Sequence, residues 1–381
     1  MTSVTSRSTA LALLSLVVVM AIISFAKDYS PEINPWADPY FFLSYSDGFI
    51  KRGLVGQIFH SIDPGASPEV TRAAALWSFT VTSLAVIALL TIWFWQVARD
   101  WIALFALFAA SQLLSTLGCD TGYLDAYVYV LAIIASIAFV LDRPLIVAVV
   151  GFVGPFVHES FIFLWLSLAI LAAWRGNLRP IQLIALCAPV LGTLTVYFGH
   201  SQAAAIAQIN AAPITGEMKD TFIAQQFGFT LTTLAPLTLF TKIFPHFLNY
   251  IVAIGFYTLP AALIGQCYAA KSKDRIALFL ATYAPALITF IAWDLSRFLV
   301  VTCLSAVIGV LFMQSYRPAV PRNGLLACWA LAGLLFAMPA IYAFYDHAYI
   351  FKGGPLGFND TPWAKVLRTQ VIPWYNRGYA L

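Results

Sequence analysis

Apolar runs of membrane-crossing length recur along this chain from one end to the other, and they leave few architectures open to it. A helix rises about 1.5 Å per residue, so crossing the hydrocarbon of a bilayer takes about 20 residues. Runs near that length are read at 9–26, 76–97, 102–117, 125–141, 145–154, 159–174, 181–199, 247–269, 276–292, 299–313 and 324–344. Composition agrees: 61% of the 381 residues are hydrophobic and 10% are charged, against about 25% charged in an ordinary soluble domain. A transmembrane barrel would alternate polar and apolar residues, and these runs do not. The expected fold is all-α, a polytopic transmembrane bundle of 10 or 11 spans with interfacial helices in its outer loops. One transmembrane domain covers 1–344, with long outer loops at 27–75 and 200–246, and an interfacial tail follows at 345–381.

Charge orients the bundle. Short basic connections stay in the cytoplasm. An N-terminus on that side places Arg7, Arg99, Arg143, Arg175, Arg179, Lys271, Lys273, Arg275, Arg317 and Arg322 inside, against only Asp100, Asp142 and Asp274. The remaining residues are slightly acidic. The first run, STALALLSLVVVMAIISFA, has the look of a secretory signal, but its length favours an uncleaved span. The continuous run LIVAVVGFVGPFVHESFIFLWLSLAILAAW has basic residues near both ends. It is expected to form a hairpin over 145–174, broken at Gly151, Gly154 and Pro155, with His158-Glu159-Ser160 at its tip. A rival arrangement adds a span at 227–245 and straightens the hairpin, but it buries Lys242 in lipid.

The net charge is +4 with no basic tract, so nucleic acid is not an expected partner. Of five cysteines only Cys119 lies in an outer turn, and no Cys/His spacing matches zinc. A lone His-Glu pair without a second histidine is not a zinc-protease motif.

Ionisable residues avoid the middles of the spans, where each would cost at least about 2.5 kcal/mol. They gather instead in the outer turns. In SDGFIKRGLVGQIF (46–59), helical periodicity puts Asp47 and Lys51 about 40° apart, on one side with Leu54, Val55, Ile58 and Ile62. Charges sharing an apolar stripe point to a protein cavity with a charged occupant; a snorkelling ion pair on an interfacial helix is the alternative. His158 and Glu159 sit at a helix N-terminus, where backbone N–H groups favour an anion. Arg297 reads as a phosphate clamp or as the i,i+3 partner of Asp294. Asp120 and Asp125 flank a short turn as carboxylates for a divalent metal, with a helix cap the alternative for Asp125; two carboxylates alone do not support a metal, and no cofactor is expected.

One outer layer of this kind suits work on a lipid-linked phosphate. The candidate catalytic residues are Asp47, Glu159 and His158, with Asp47 the first choice of base. Lys51, Arg52 and Arg297 are the phosphate-binding set, and Asp294, Asp120 and Asp125 support them. The leaving phosphate is already an anion and needs cations, while the acceptor hydroxyl needs a base.

The layout resembles the membrane glycosyltransferases of the GT-C class, with which bacterial O-antigen polymerases and ligases share a general plan. Those enzymes carry a catalytic Asp or Glu in the first external loop, and Asp47 occupies the matching place. Val157-His158-Glu159-Ser160-Phe161 faintly echoes a His-Lys-Glu-x-Arg-Phe motif of some eukaryotic relatives, without its Lys and Arg. The resemblance implies transfer of a sugar from a polyprenyl-phosphate donor to a glycan or lipid-linked acceptor, at the outer face of the bacterial cytoplasmic membrane among its lipids. A transporter or flippase for an anionic or lipid-linked substrate, and a non-catalytic scaffold subunit, are the competing classes.

Overall fold

A computed structural model describes residues 7–98, 101–214, 216, 219–220, 223, 246–268, 271–290, 295–320, 325–344, 348–350 and 362–377. Its helices follow the apolar runs. Six are long and apolar enough to cross a membrane: Arg7–Ala26 (α1), Pro68–Val97 (α3), Ile102–Cys119, Pro180–Gly199 (α9), Phe247–Cys267 (α11) and Leu295–Tyr316. Four shorter apolar helices join them: Asp125–Val140 (α6), Pro144–Val157 (α7), Phe161–Arg175 (α8) and Leu325–Phe336 (α15). The protein is an all-α polytopic bundle.

Two segments form its centre and are buried on nearly every side. The window Ile102–Cys119 is buried throughout. It comprises α4 (Ile102–Ala109) and α5 (Gln112–Cys119), interrupted where Ser111 turns extended and its hydroxyl donates to Phe108 O. The second segment comprises α13 (Leu295–Leu299) and α14 (Val301–Tyr316). Around them pack α1, α3, α6, α8, α11 and α12 (Ser272–Tyr283), while α7 bridges α6 to α9 at the periphery.

The turns collect at two ends. At one, Ser30 and Asn34 bond the 118–121 turn, Ser201 N–H donates to Phe49 O, and the 158–160 tip and the start of α6 lie with them. At the other, Arg179 pairs with Asp142, Trp174 donates to Asp274, and Trp101 packs on Tyr268. The Asp142–Arg179 pair brings both ends of the 145–174 run together, as a hairpin requires. The segment 227–245 lies outside the described residues.

Several boundaries differ from expectation, each for a local reason. The hairpin does not break at its glycines: α7 continues to Val157, and the chain turns at His158–Ser160. Gly151 and Gly154 instead let Trp165 and Phe161 approach closely. The run from 276 loses α-geometry after Tyr283, where Pro285 removes a backbone donor, and continues as a 3-10 helix over Ala284–Phe290. The last run ends at Phe336, not 344. Pro339 disfavours helix at the preceding residue, and the chain enters a two-stranded hairpin, β1 (Ile341–Ala343) and β2 (Ala348–Ile350), antiparallel with Tyr342 opposite Tyr349.

The chain from Phe336 to Ile341 is gripped from the start of the sequence. Lys27 Nζ donates to Phe336 O (3.4 Å) and Met338 O (2.5 Å). Asp28 Oδ2 accepts from Ala340 N–H (3.1 Å), and Gln112 bonds Pro339 O and Ile341 N–H. Both Lys27 and Asp28 are wholly buried. Burial pulls the Lys27 ammonium down to about 8 and pushes the Asp28 carboxyl up to about 6, each partly offset by the other. In the tail, 362–377 is helical; Tyr375 and Asn376 fasten it to Phe344 and Ala348.

Candidate functional site

The segment 46–59 is not one helix. Helix α2 begins only at Leu54, capped by Gly53, and runs to Ile62. Before it, Gly48 (φ 134°) and Arg52 (φ 61°) turn the chain through left-handed backbone that a helix excludes. The expected stripe therefore does not form. Gly56 lies against the backbone of Tyr40 and Leu43, whereas Ile58 and Ile62 are exposed. The apolar residues of α2 are divided: Val55 is buried and Leu54 and Phe59 pack against the core, while Ile58 and Ile62 face outward.

What the loop does is deliver two cations inward. It is pinned along its length: Ser44 N–H donates to Gln208 Oε1 (2.8 Å), Tyr45 N–H to Gln57 Oε1 (2.6 Å), and Lys51 N–H to His200 Nδ1 (3.0 Å). A non-glycine residue at positive φ costs on the order of 1–3 kcal/mol, and the contacts of the Arg52 guanidinium offset it. Its Nε donates to Glu159 Oε2 (2.7 Å), its Nη2 to Glu159 Oε1, and its Nη1 to Tyr40 Oη (2.6 Å). Lys51 Nζ reaches Glu159 Oε1 at 2.9 Å. One carboxylate at the α7–α8 tip thus brackets both cations of the first loop.

A second pair adjoins the first. Arg297, on α13, places Nε 3.2 Å from Asp125 Oδ2 at the start of α6, and its guanidinium lies over Tyr123 and Phe298. Arg52 also acts on Asp125, and Arg297 on His158, so the two pairs share one electrostatic field. Among the described residues, Lys51 and Arg52 pair with Glu159, and Arg297 with Asp125.

Burial opposes the charge on Glu159, yet Arg52 and Lys51 outweigh it and hold its carboxyl well below the usual range. Its side chain keeps 35% of its surface exposed, so solvent screens part of that attraction. Burial, with Arg52 next, holds His158 well below its ordinary value near 6.5. The imidazole is neutral at pH 7. Its Nδ1 accepts Ser160 N–H (3.0 Å), which assigns the remaining proton to Nε2. His158 is built to donate a hydrogen bond, neither to take a proton nor to supply one.

The structure brings together Lys51, Arg52, His158, Glu159, Asp125 and Arg297. Asp47 sits to one side of them, exposed on the loop, with Oδ2 accepting from Gln208 Nε2 (2.7 Å) and Ser46 Oγ (3.2 Å). It does not share a helical face with Lys51, because no helix spans them. Asp125 is not a cap: Leu124 holds that position and Asp125 is the first helical residue. Asp120 is buried at the end of α5, and among the described residues no three His, Cys, Asp or Glu side chains cluster for a metal. Asp294 lies outside the described residues. Sequence reasoning missed Tyr40 in a 3-10 turn, Gln208 in the helix 202–211 and Tyr123 before α6, uncharged residues whose spacing carries no signal.

No family model, curated protein or solved structure matches this chain.

Proposed function

We propose that the protein is a membrane glycosyltransferase that moves a sugar from a polyprenyl-phosphate donor to a glycan or lipid-linked acceptor at the outer face of the bacterial cytoplasmic membrane. One observation carries the reading: Lys51, Arg52 and Arg297, from two distant segments, converge at one end of an apolar bundle. A lipid-borne phosphate is the anion that such a set of cations would hold. The basic-loop count supports reading this end as the outer one.

In this reading Arg52 and Arg297 meet the phosphate, with Lys51 as a mobile third cation. Glu159 has both oxygens engaged, so it positions Arg52 and Lys51 and is not the base. His158 offers its Nε2 proton as a neutral donor to a phosphate or sugar oxygen. Asp47, exposed and steadied by Gln208, takes the acceptor's proton as the acceptor oxygen bonds to the anomeric carbon. The bond from that carbon to the phosphate oxygen breaks, and the departing anion is held by the cations. A single base predicts inversion at the anomeric centre.

The test is transfer in isolated membranes, with the glycan profile of a deletion strain complemented by each variant. Asp47→Asn abolishes transfer while the protein accumulates normally. Full activity in that variant removes Asp47 as the base. Substrate-dependent flux into vesicles, with no transfer, would assign the site to a transporter instead.

A further inference from the structure

A second site lies at the same end of the bundle. A cavity of about 470 Å³ opens between the 31–38 segment, the head of α3 and the chain just after α10 (Gln202–Ala211). That volume falls within the range of small-molecule sites, about 300–1,000 Å³. Its polar floor is an ion pair: Arg72 Nε lies 2.9 Å from Asp38 Oδ1, and Arg72 Nη2 lies 2.8 Å from Asp38 Oδ2 and 2.7 Å from Pro213 O. Arg72 Nη1 and the exposed Glu32 carboxylate have no hydrogen-bond partner among the described residues. Pro35, Pro213 and Ala73 supply flat apolar wall.

Among the described residues the charge here is acidic in balance. Asp38 and Glu32 outnumber Arg72, so an anion is disfavoured. An acyl chain would strip water from the ion pair and return nothing. A neutral, hydroxyl-rich ligand satisfies both faces: its hydroxyls meet carboxylate oxygens and a guanidinium N–H, and its C–H faces lie on the prolines. The two sites are also joined mechanically. The 3-10 helix Asp38–Phe41 sends Asp38 to Arg72 and Tyr40 to Arg52. Helix α10 holds Asp47 through Gln208, and Pro213, just beyond its end, holds Arg72.

We infer that this cavity binds a neutral saccharide, and, resting on the transferase reading, that it seats the acceptor while the donor phosphate occupies the cation cluster. The test uses the full chain in lipid nanodiscs and saturation-transfer NMR with maltose, lactose and diacetylchitobiose, beside digalacturonic acid. At least one neutral disaccharide gives a signal, Ala73→Trp lowers it tenfold or more by filling the cavity, and Gly255→Ala, remote from both sites, leaves it intact. Ala73 is exposed on α3, so the variant folds. No signal from any neutral disaccharide, a signal that survives Ala73→Trp, stronger binding of the acidic sugar, or displacement by a short-chain phospholipid overturns the inference. Binding that tracks Ala73 in a protein whose membranes show no glycan transfer would sink the transferase reading and leave this site standing.

Discussion

Glu159 is the residue on which the cation cluster turns. It holds a guanidinium through two oxygens and an ammonium through one, and no isosteric neutral side chain does the same. Breaking a fully buried pair costs about 3–5 kcal/mol; with Glu159 partly exposed, Glu159→Gln is expected to cost less, about 1–3 kcal/mol by thermal unfolding in detergent, and to lower transfer at least tenfold. His158 makes a prediction in pH. Its folded-state value is depressed, so the unfolded chain binds the extra proton first, and the stability it contributes is present above about pH 6.5 and lost as pH falls. The difference in melting temperature between the wild type and His158→Gln should therefore shrink from pH 7.5 to 5.5, and a constant difference would show that His158 is not held neutral. These charges were legible in the sequence because a chain with so few of them places each at a cost. Their partners were not. Arg297 reads as a phosphate clamp or as the partner of Asp294, which lies outside the described residues; Asp125, to which it is paired in the structure, lies in another span, and no spacing signals that.

Among the elements, α2 shows what periodicity can and cannot say. The apolar positions of 54–62 are correctly helical, but period alone does not reveal which side meets protein. Gly56 decides it. A Cβ there would stand 2.1 Å from Leu43 O and 2.7 Å from Tyr40 O, so the helix approaches the backbone of the turn that carries Tyr40. Gly56→Ala should displace that turn and destabilise the protein by about 2 kcal/mol or more, an overpacking cost. Gly255, in α11, has nothing within 4 Å of its Cβ position, and Gly255→Ala should be neutral or stabilising by up to about 1 kcal/mol. Equal shifts in melting temperature for the two would refute the close approach. The same limit applies to the hairpin tip, where glycines read as breakers proved to be contact points for aromatic rings.

For the whole molecule, the run lengths made the bundle legible, because hydrocarbon thickness leaves little choice of element. Less legible was which spans occupy the centre; that depends on burial on all sides, and α4, α5 and α14 differ little in composition from the spans around them. Sidedness is an expectation drawn from the basic connections, and labelling tests it. In a variant with its cysteines replaced, a cysteine at exposed Asp63 should react with a membrane-impermeant maleimide in intact spheroplasts, and one at exposed Ser272 only after lysis. The reverse pattern would place the cation cluster in the cytoplasm.

The grip of Lys27 and Asp28 on Phe336–Ala340 also sets a schedule for biogenesis. An ammonium that emerges with the first span bonds carbonyls 309 and 311 residues downstream. Until the ribosome has delivered those carbonyls, the insertion machinery or surrounding water must shelter the two charges. A chain whose synthesis stops before Phe336 never gains that relief, and this gives membrane quality control a chemical mark by which unfinished copies differ from finished ones.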